Sequence, residues 1–122
     1  MNEHRPGYKK TKLGWIPEDW DINTLEKSGI FHKGAGISKS DITREGIPCI
    51  LYGHIYTLHN FYIKQFFSFI NKATSQKSKL IKKGDVLFAG SGETIEEIGK
   101  CVAYLNDIEA YAGGDIIIFR PN

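Results

Sequence analysis

The 122-residue sequence is poor in the features that would give it chemistry of its own. Its two cysteines, Cys49 and Cys101, lack Cys-x-x-Cys spacing, so neither a zinc pattern nor a dense disulfide framework is present. Each sits in an apolar, strand-like stretch and reads as a buried free thiol. The four prolines, Pro6, Pro17, Pro48 and Pro121, are never adjacent. That excludes the Asn/Asp-Pro-Pro-aromatic loop with which a DNA amino-methyltransferase grips a flipped base. No glutamate is followed two residues later by lysine, which removes the common metal-dependent nuclease pattern. Gly-x-Ser-x-Gly is absent. Gly90-Ser91-Gly92 lacks the Lys-Ser/Thr ending of a phosphate-cradling loop, Gly99-Lys100-Cys101 does not supply it, and a turn is the better reading. His54 and His59 have no Cys or carboxylate at ligand spacing, so they read as ordinary or DNA-facing histidines. No catalytic residue, metal or other cofactor is expected, and the chain reads as non-enzymatic.

Long apolar runs are missing as well. None approaches the ~18 residues of a membrane span, and the polar start Met1-Asn2-Glu3-His4-Arg5-Pro6-Gly7 lacks the apolar segment of a secretory signal. A cytoplasmic location is expected. Hydrophobic residues at 41% and charged ones at 25% match an ordinary globular domain, and the length suits one such domain. The net charge of +2 says little about partners, but its distribution says more. Between Lys27 and Lys83 ten basic residues face two acidic ones, Asp41 and Glu45, whereas from Asp85 onward Lys100 and Arg120 face seven acidic residues. Either the first segment faces phosphates and the second faces elsewhere, or the lysines are scattered over a solvated surface.

What is present is mostly strand signal. Residues 1–12 are polar and basic without hydrophobic period and read as a flexible arm, the fold beginning near Leu13. Gly14 to Trp20 brackets a proline turn between two tryptophans, and Asp21 to Leu25 alternates as a half-buried strand does. A short helical turn follows to Gly29. Ile30 to Lys33 reads as a strand closed by Gly34-Ala35-Gly36, and Ile47 to Ile55 as another, with Pro48 at a first-strand position. Aromatics crowd Tyr52 to Phe69, too many for one face. Ser75 to Lys79 is a polar connector. The strongest strands are Asp85 to Ala89, Lys100 to Leu105 and Asp115 to Arg120, the last entered through Gly113-Gly114. Thr94 to Glu97 has capping-box spacing for one helical turn. The expected class is α+β, strand-dominated, with short helices.

Four stretches carry a resemblance: Tyr8-Lys9-Lys10-Thr11-Lys12-Leu13-Gly14-Trp15-Ile16-Pro17-Glu18-Asp19-Trp20, Leu80-Ile81-Lys82-Lys83-Gly84-Asp85-Val86-Leu87-Phe88, Gly90 to Lys100, and Ala110 to Ile116. Together they resemble the target-recognition domain of type I restriction–modification specificity subunits. The resemblance implies a β-rich core that reads half of a bipartite double-stranded DNA target through its loops. It also implies partnership with a methyltransferase (modification) subunit, a motor-nuclease (restriction) subunit and a second recognition half-domain. It places the recognition domain at residues 13–122. The family pattern continues beyond Asn122 with more of the domain and a spacer helix, for which no heptad stretch is found, so the domain reads as truncated or split.

A duplex reader needs cations on phosphates and a few rigid polar groups on base edges. Lys33 and Lys39, beside the Gly34 to Gly46 loop region, suit phosphates. Arg44 either reaches a guanine bidentately or is an ordinary exposed arginine. Tyr52 and His54 alternate along a presumed strand and either present polar tips to DNA or, for Tyr52, pack in the core. In the Ser91 to Lys100 loop the candidates are Ser91, Glu93 as acceptor from a cytosine amino group, and Lys100. The competing reading is a protein-interaction module whose Tyr52 to Phe69 aromatics dock a methyltransferase or a second half-domain.

Overall fold

In the computed structural model the described residues are 5–92 and 94–122. They form a hairpin, β1 (Tyr8–Thr11) with β2 (Gly14–Pro17), followed by α1 (Leu25–Ser28) and β3 (Gly29–Lys33). Then come β4 (Ile47–Ile50), α2 (Tyr52–Thr57), β5 (Ser68–Ile70), α3 (Lys72–Ser75) and β6 (Lys79–Ile81). The chain finishes with β7 (Val86–Ala89), β8 (Cys101–Ala103), β9 (Ala110–Ala112) and β10 (Ile116–Pro121). The class is the α+β, strand-dominated one that the sequence predicts.

Two four-stranded sheets share one core. The first has the order β3-β10-β7-β8 and is antiparallel throughout. The second has the order β5-β4-β9-β6, with β4 and β9 parallel and the outer pairs antiparallel. From the first sheet Leu87, Ala89, Val102, Ile116 and Ile118 enter the core; from the second come Ile50, Ile81, Ala110 and Ala112, and α2 adds Ile55. Alternate residues of a strand face opposite ways, so Ile116 and Ile118 are buried while Ile117 between them is exposed. Tyr104 is wholly buried and donates its hydroxyl to the Ile108 carbonyl, which satisfies the polar end of a large core ring. Pro48 is the second residue of β4, and the ladder to β9 starts only at Cys49, so the missing N–H takes nothing from it.

Several expectations are corrected. Tyr8–Thr11, read as arm, forms β1, helped by Arg5 over the Trp15 ring at 5.4 Å. Asp21 to Thr24 forms no strand, because among the described residues no neighbouring strand lies beside it to reward the alternation. The strand expected from Ile47 to Ile55 stops at Ile50, and Tyr52–Thr57 is helical because Ile55 anchors one face in the core, where helical geometry lets Tyr56 pack as well. Thr94 to Glu97 is a turn, not a helix: Thr94 spends its hydroxyl on the Glu97 carboxylate at 2.9 Å instead of on the backbone. Cys49 is buried as expected, but Cys101 lies exposed on β8, the outermost strand of its sheet.

Two glycine clusters meet. The backbone of Gly34 to Gly36 lies against that of Ala112 to Gly114, with Gly34 N–H donating to Ile116 and Gly114 N–H to Gly36. A Cβ on Gly34 would stand 2.0 Å from the Gly113 carbonyl oxygen, so no side chain fits there.

Candidate nucleic-acid interface

Two grooves border helix α2. The first groove, about 530 Å³, lies between α2 and the 36–39 loop and is bordered by Lys39, Tyr52 and His54. The second, about 540 Å³, runs from the C-terminal half of α2 along residues 58–61 and is bordered by His59, Phe61 and Lys100; Tyr56 and Thr57 border both.

The first groove is built by strained and tightly bonded backbone. Gly36 has φ of 70°, and Ile37 and Asp115 each have φ of 60°. For a β-branched residue such as Ile37 this is a costly conformation, held by the glycine-to-glycine packing beneath it. Beyond it a 3-10 turn, Lys39–Asp41, presents Lys39. The Asp41 carboxylate accepts from the Ser38 backbone N–H at 2.8 Å and from the Ser38 hydroxyl at 2.9 Å. Those two hydrogen bonds, the backbone one foremost, and the charge of Lys77 hold the Asp41 carboxyl below its ordinary value. Asp41 is therefore committed to the shape of the loop, and Lys39 has no ion pair among the described residues.

On the helix, Tyr52 is 36% exposed and its ring lies 6.3 Å from that of Tyr56. His54 is half-buried, with its ring 6.3 Å from His59 and 6.4 Å from Phe67. His54 Nδ1 and His59 Nε2 are buried without a hydrogen-bond partner among the described residues. Burial pushes both imidazoles below their ordinary pKa, and the neighbouring His54 adds to the effect at His59. Tyr52 and His54 do not share a strand face as the alternation suggested. Two positions apart on a helix they project about 200° from one another, yet both border the groove.

The remaining candidates are dispersed. Lys33 is exposed at the end of β3, opposite Ile117, and Arg44 is exposed in the turn before β4. Ser91 is half-buried after β7, Lys100 is exposed on the second groove, and Glu93 lies outside the described residues. The structure thus brings Lys39, Tyr52 and His54 together, sets Lys100 on the second groove, and leaves Lys33, Arg44 and Ser91 off both grooves. Sequence reasoning missed Tyr56 and Thr57, the residues common to both grooves. The spacing of Tyr52, Ile55 and Tyr56 at i, i+3 and i+4 was the signal that could have found them.

No family model matches the chain, and no curated protein does. Among solved structures, a chain from work on complex assembly and conformational transition of the type I R-M system is similar, with 15% identity and a TM-score of 0.59. The match covers 99% of this chain and 25% of that one, so the chain spans about a quarter of the length of the structure that it matches. At this identity the likeness is one of fold: nearly the whole chain follows the path of a segment from a type I restriction–modification assembly.

Proposed function

We propose that the chain is a sequence-specific double-stranded DNA recognition module of a type I restriction–modification system. In this reading it performs no chemistry; it directs an adenine methyltransferase subunit and a motor-nuclease subunit to their target. The observation that carries the reading is helix α2, with Lys39 in one of the two grooves that border it and Lys100 in the other. A cation in each groove suits the phosphates of a duplex, and the helix supplies the polar tip of Tyr52 and the edge of His54 to base edges. Lys33 and Arg44 add positive charge at the periphery. The fold likeness supports the same reading.

The test is titration of a fluorescent pool of random duplex DNA at several salt concentrations, with circular dichroism on the same sample. Saturable binding that weakens steeply with salt is expected. A folded chain that binds no duplex overturns the reading and favours the interaction module instead. One observation points that way: Phe61 is 81% exposed, with Leu58, Tyr62 and Phe67 also exposed nearby in sequence.

A further inference from the structure

At one margin of the core, away from the α2 grooves in sequence and in the residues involved, Arg120 meets a buried carboxylate and His32, and the Lys79–Asp85 stretch runs against the same guanidinium through the Leu80 carbonyl. Asp85 is 1% exposed and accepts three hydrogen bonds. Its Oδ1 accepts from Arg120 Nε at 2.9 Å, and its Oδ2 accepts from Arg120 Nη2 at 2.9 Å and from the Lys82 backbone N–H at 2.7 Å. Arg120 is therefore neutralised by a bidentate pair. Its remaining nitrogen, Nη1, reaches the His32 ring at 3.5 Å, and Nη2 also reaches the Leu80 carbonyl at 3.4 Å. Strand pairing fixes this meeting. His32 of β3 lies opposite Ile118 of β10, so Arg120 projects on the same face of the sheet two residues along. Lys79 of β6 shares the inward face of its strand with the buried Ile81 and is itself half-buried.

The balance of charge is one-sided. Asp85 is spent on Arg120, and neither Lys79 nor Lys82 has an ion pair among the described residues. The imbalance is felt at His32, whose pKa is pushed down first by burial and then by Lys79, Arg120 and Lys82, with Asp85 alone pulling it up. A half-buried lysine with no ion pair among the described residues, next in sequence to the Leu80 carbonyl that meets Arg120, leaves room for one component: an anion.

We propose that His32, Lys79, Lys82 and the outer edge of Arg120 form a binding site for a phosphoryl-type oxyanion. A tetrahedral dianion seated there accepts from the Lys79 and Lys82 ammonium groups and from the free N–H of the His32 ring, while Asp85 keeps the guanidinium in place. The same chemistry is offered by a phosphate of a duplex backbone and by a free oxyanion, and the two sources are separable by experiment.

The experiment follows the His32 ring protons by NMR through a pH titration of the whole chain, assigned with His32→Gln. Sulfate, whose charge is constant over the range, is compared with chloride at equal ionic strength. Sulfate is expected to move the His32 midpoint upward by about one unit and to saturate, and Lys79→Gln/Lys82→Gln is expected to abolish the movement. An equal midpoint in both salts, or a shift that survives the lysine substitutions, overturns the site. In a second arm a short duplex replaces sulfate: a stoichiometric shift of His32 identifies the backbone phosphate as the ligand, and a shift with sulfate alone identifies a free oxyanion. Duplex binding measured by fluorescence is independent of both arms, so failure of the DNA-recognition reading and failure of this site are told apart.

Discussion

Arg120 and Asp85 lie 35 positions apart, and their bidentate contact is the one partly buried ion pair among the described residues. Arg120→Met leaves the 1%-exposed carboxylate without a counter-charge. The expected loss is about 3–5 kcal/mol, read from the urea midpoint. Adding Asp85→Leu is expected to restore part of it, because the uncompensated charge then disappears while the Lys82 N–H stays unpaired. The cysteines give a second expectation. Burial pushes the Cys49 thiol up to about 11, whereas Cys101 is exposed. A disulfide reagent near neutral pH should titrate one thiol quickly in the native protein and the other only after unfolding. The histidines give a third. Above pH ~6.5 His54 and His59 are neutral in the folded and unfolded chains alike. As pH falls through that value the unfolded chain binds protons that burial keeps off the folded one, and stability declines until the lowered folded values are passed. Denaturation midpoints measured downward from neutral pH should fall, and His54→Gln/His59→Gln should flatten the slope.

Helix α2 is the element on which the proposed function turns. Lys39→Ala/Lys100→Ala should weaken binding to all duplexes alike and reduce the slope of log affinity against log salt by about 0.9 for each phosphate left unneutralised. A weakened affinity at unchanged slope would take these lysines off the phosphates. This helix was also the element least legible in the sequence. Leu51 to Ile55 alternates like a strand, and only burial of Ile55 against β7 and β8 decides for a helix. The strands β3, β7, β8 and β10 were legible because β-branched and aromatic runs are bounded there by glycine or charge. The strands β5, β6 and β9 were not, and the parallel pairing of β4 with β9 had no local signature at all. The candidate site was half legible for the same reason. Lys39 and Lys100 stood out as cations in glycine-bounded loops, but their placement in two grooves bordering one helix depends on how residues 36–39, 51–61 and 100–115 pack together.

In the whole molecule the basic and acidic segments of the sequence interleave. β10 sits between β3 and β7, and β9 between β4 and β6, so each sheet is assembled from both segments. The charge bias along the chain therefore does not translate into two opposed halves, and the local gathering of cations around His32 is a product of strand order. Such distant pairing also implies slow folding: stopped-flow refolding should take milliseconds to seconds, as in other proteins dominated by non-local strand pairing. The position of β10 has a further consequence during biosynthesis. It is the shared partner of β3 and β7, yet it comes last in the described chain. At a ribosomal rate of roughly 5–20 residues per second, β3 and β7 emerge with their pairing edges bare and must wait for it. A nascent chain stalled before Ile116 would carry two unpaired strand edges into the crowded cell and would be a natural client for a chaperone.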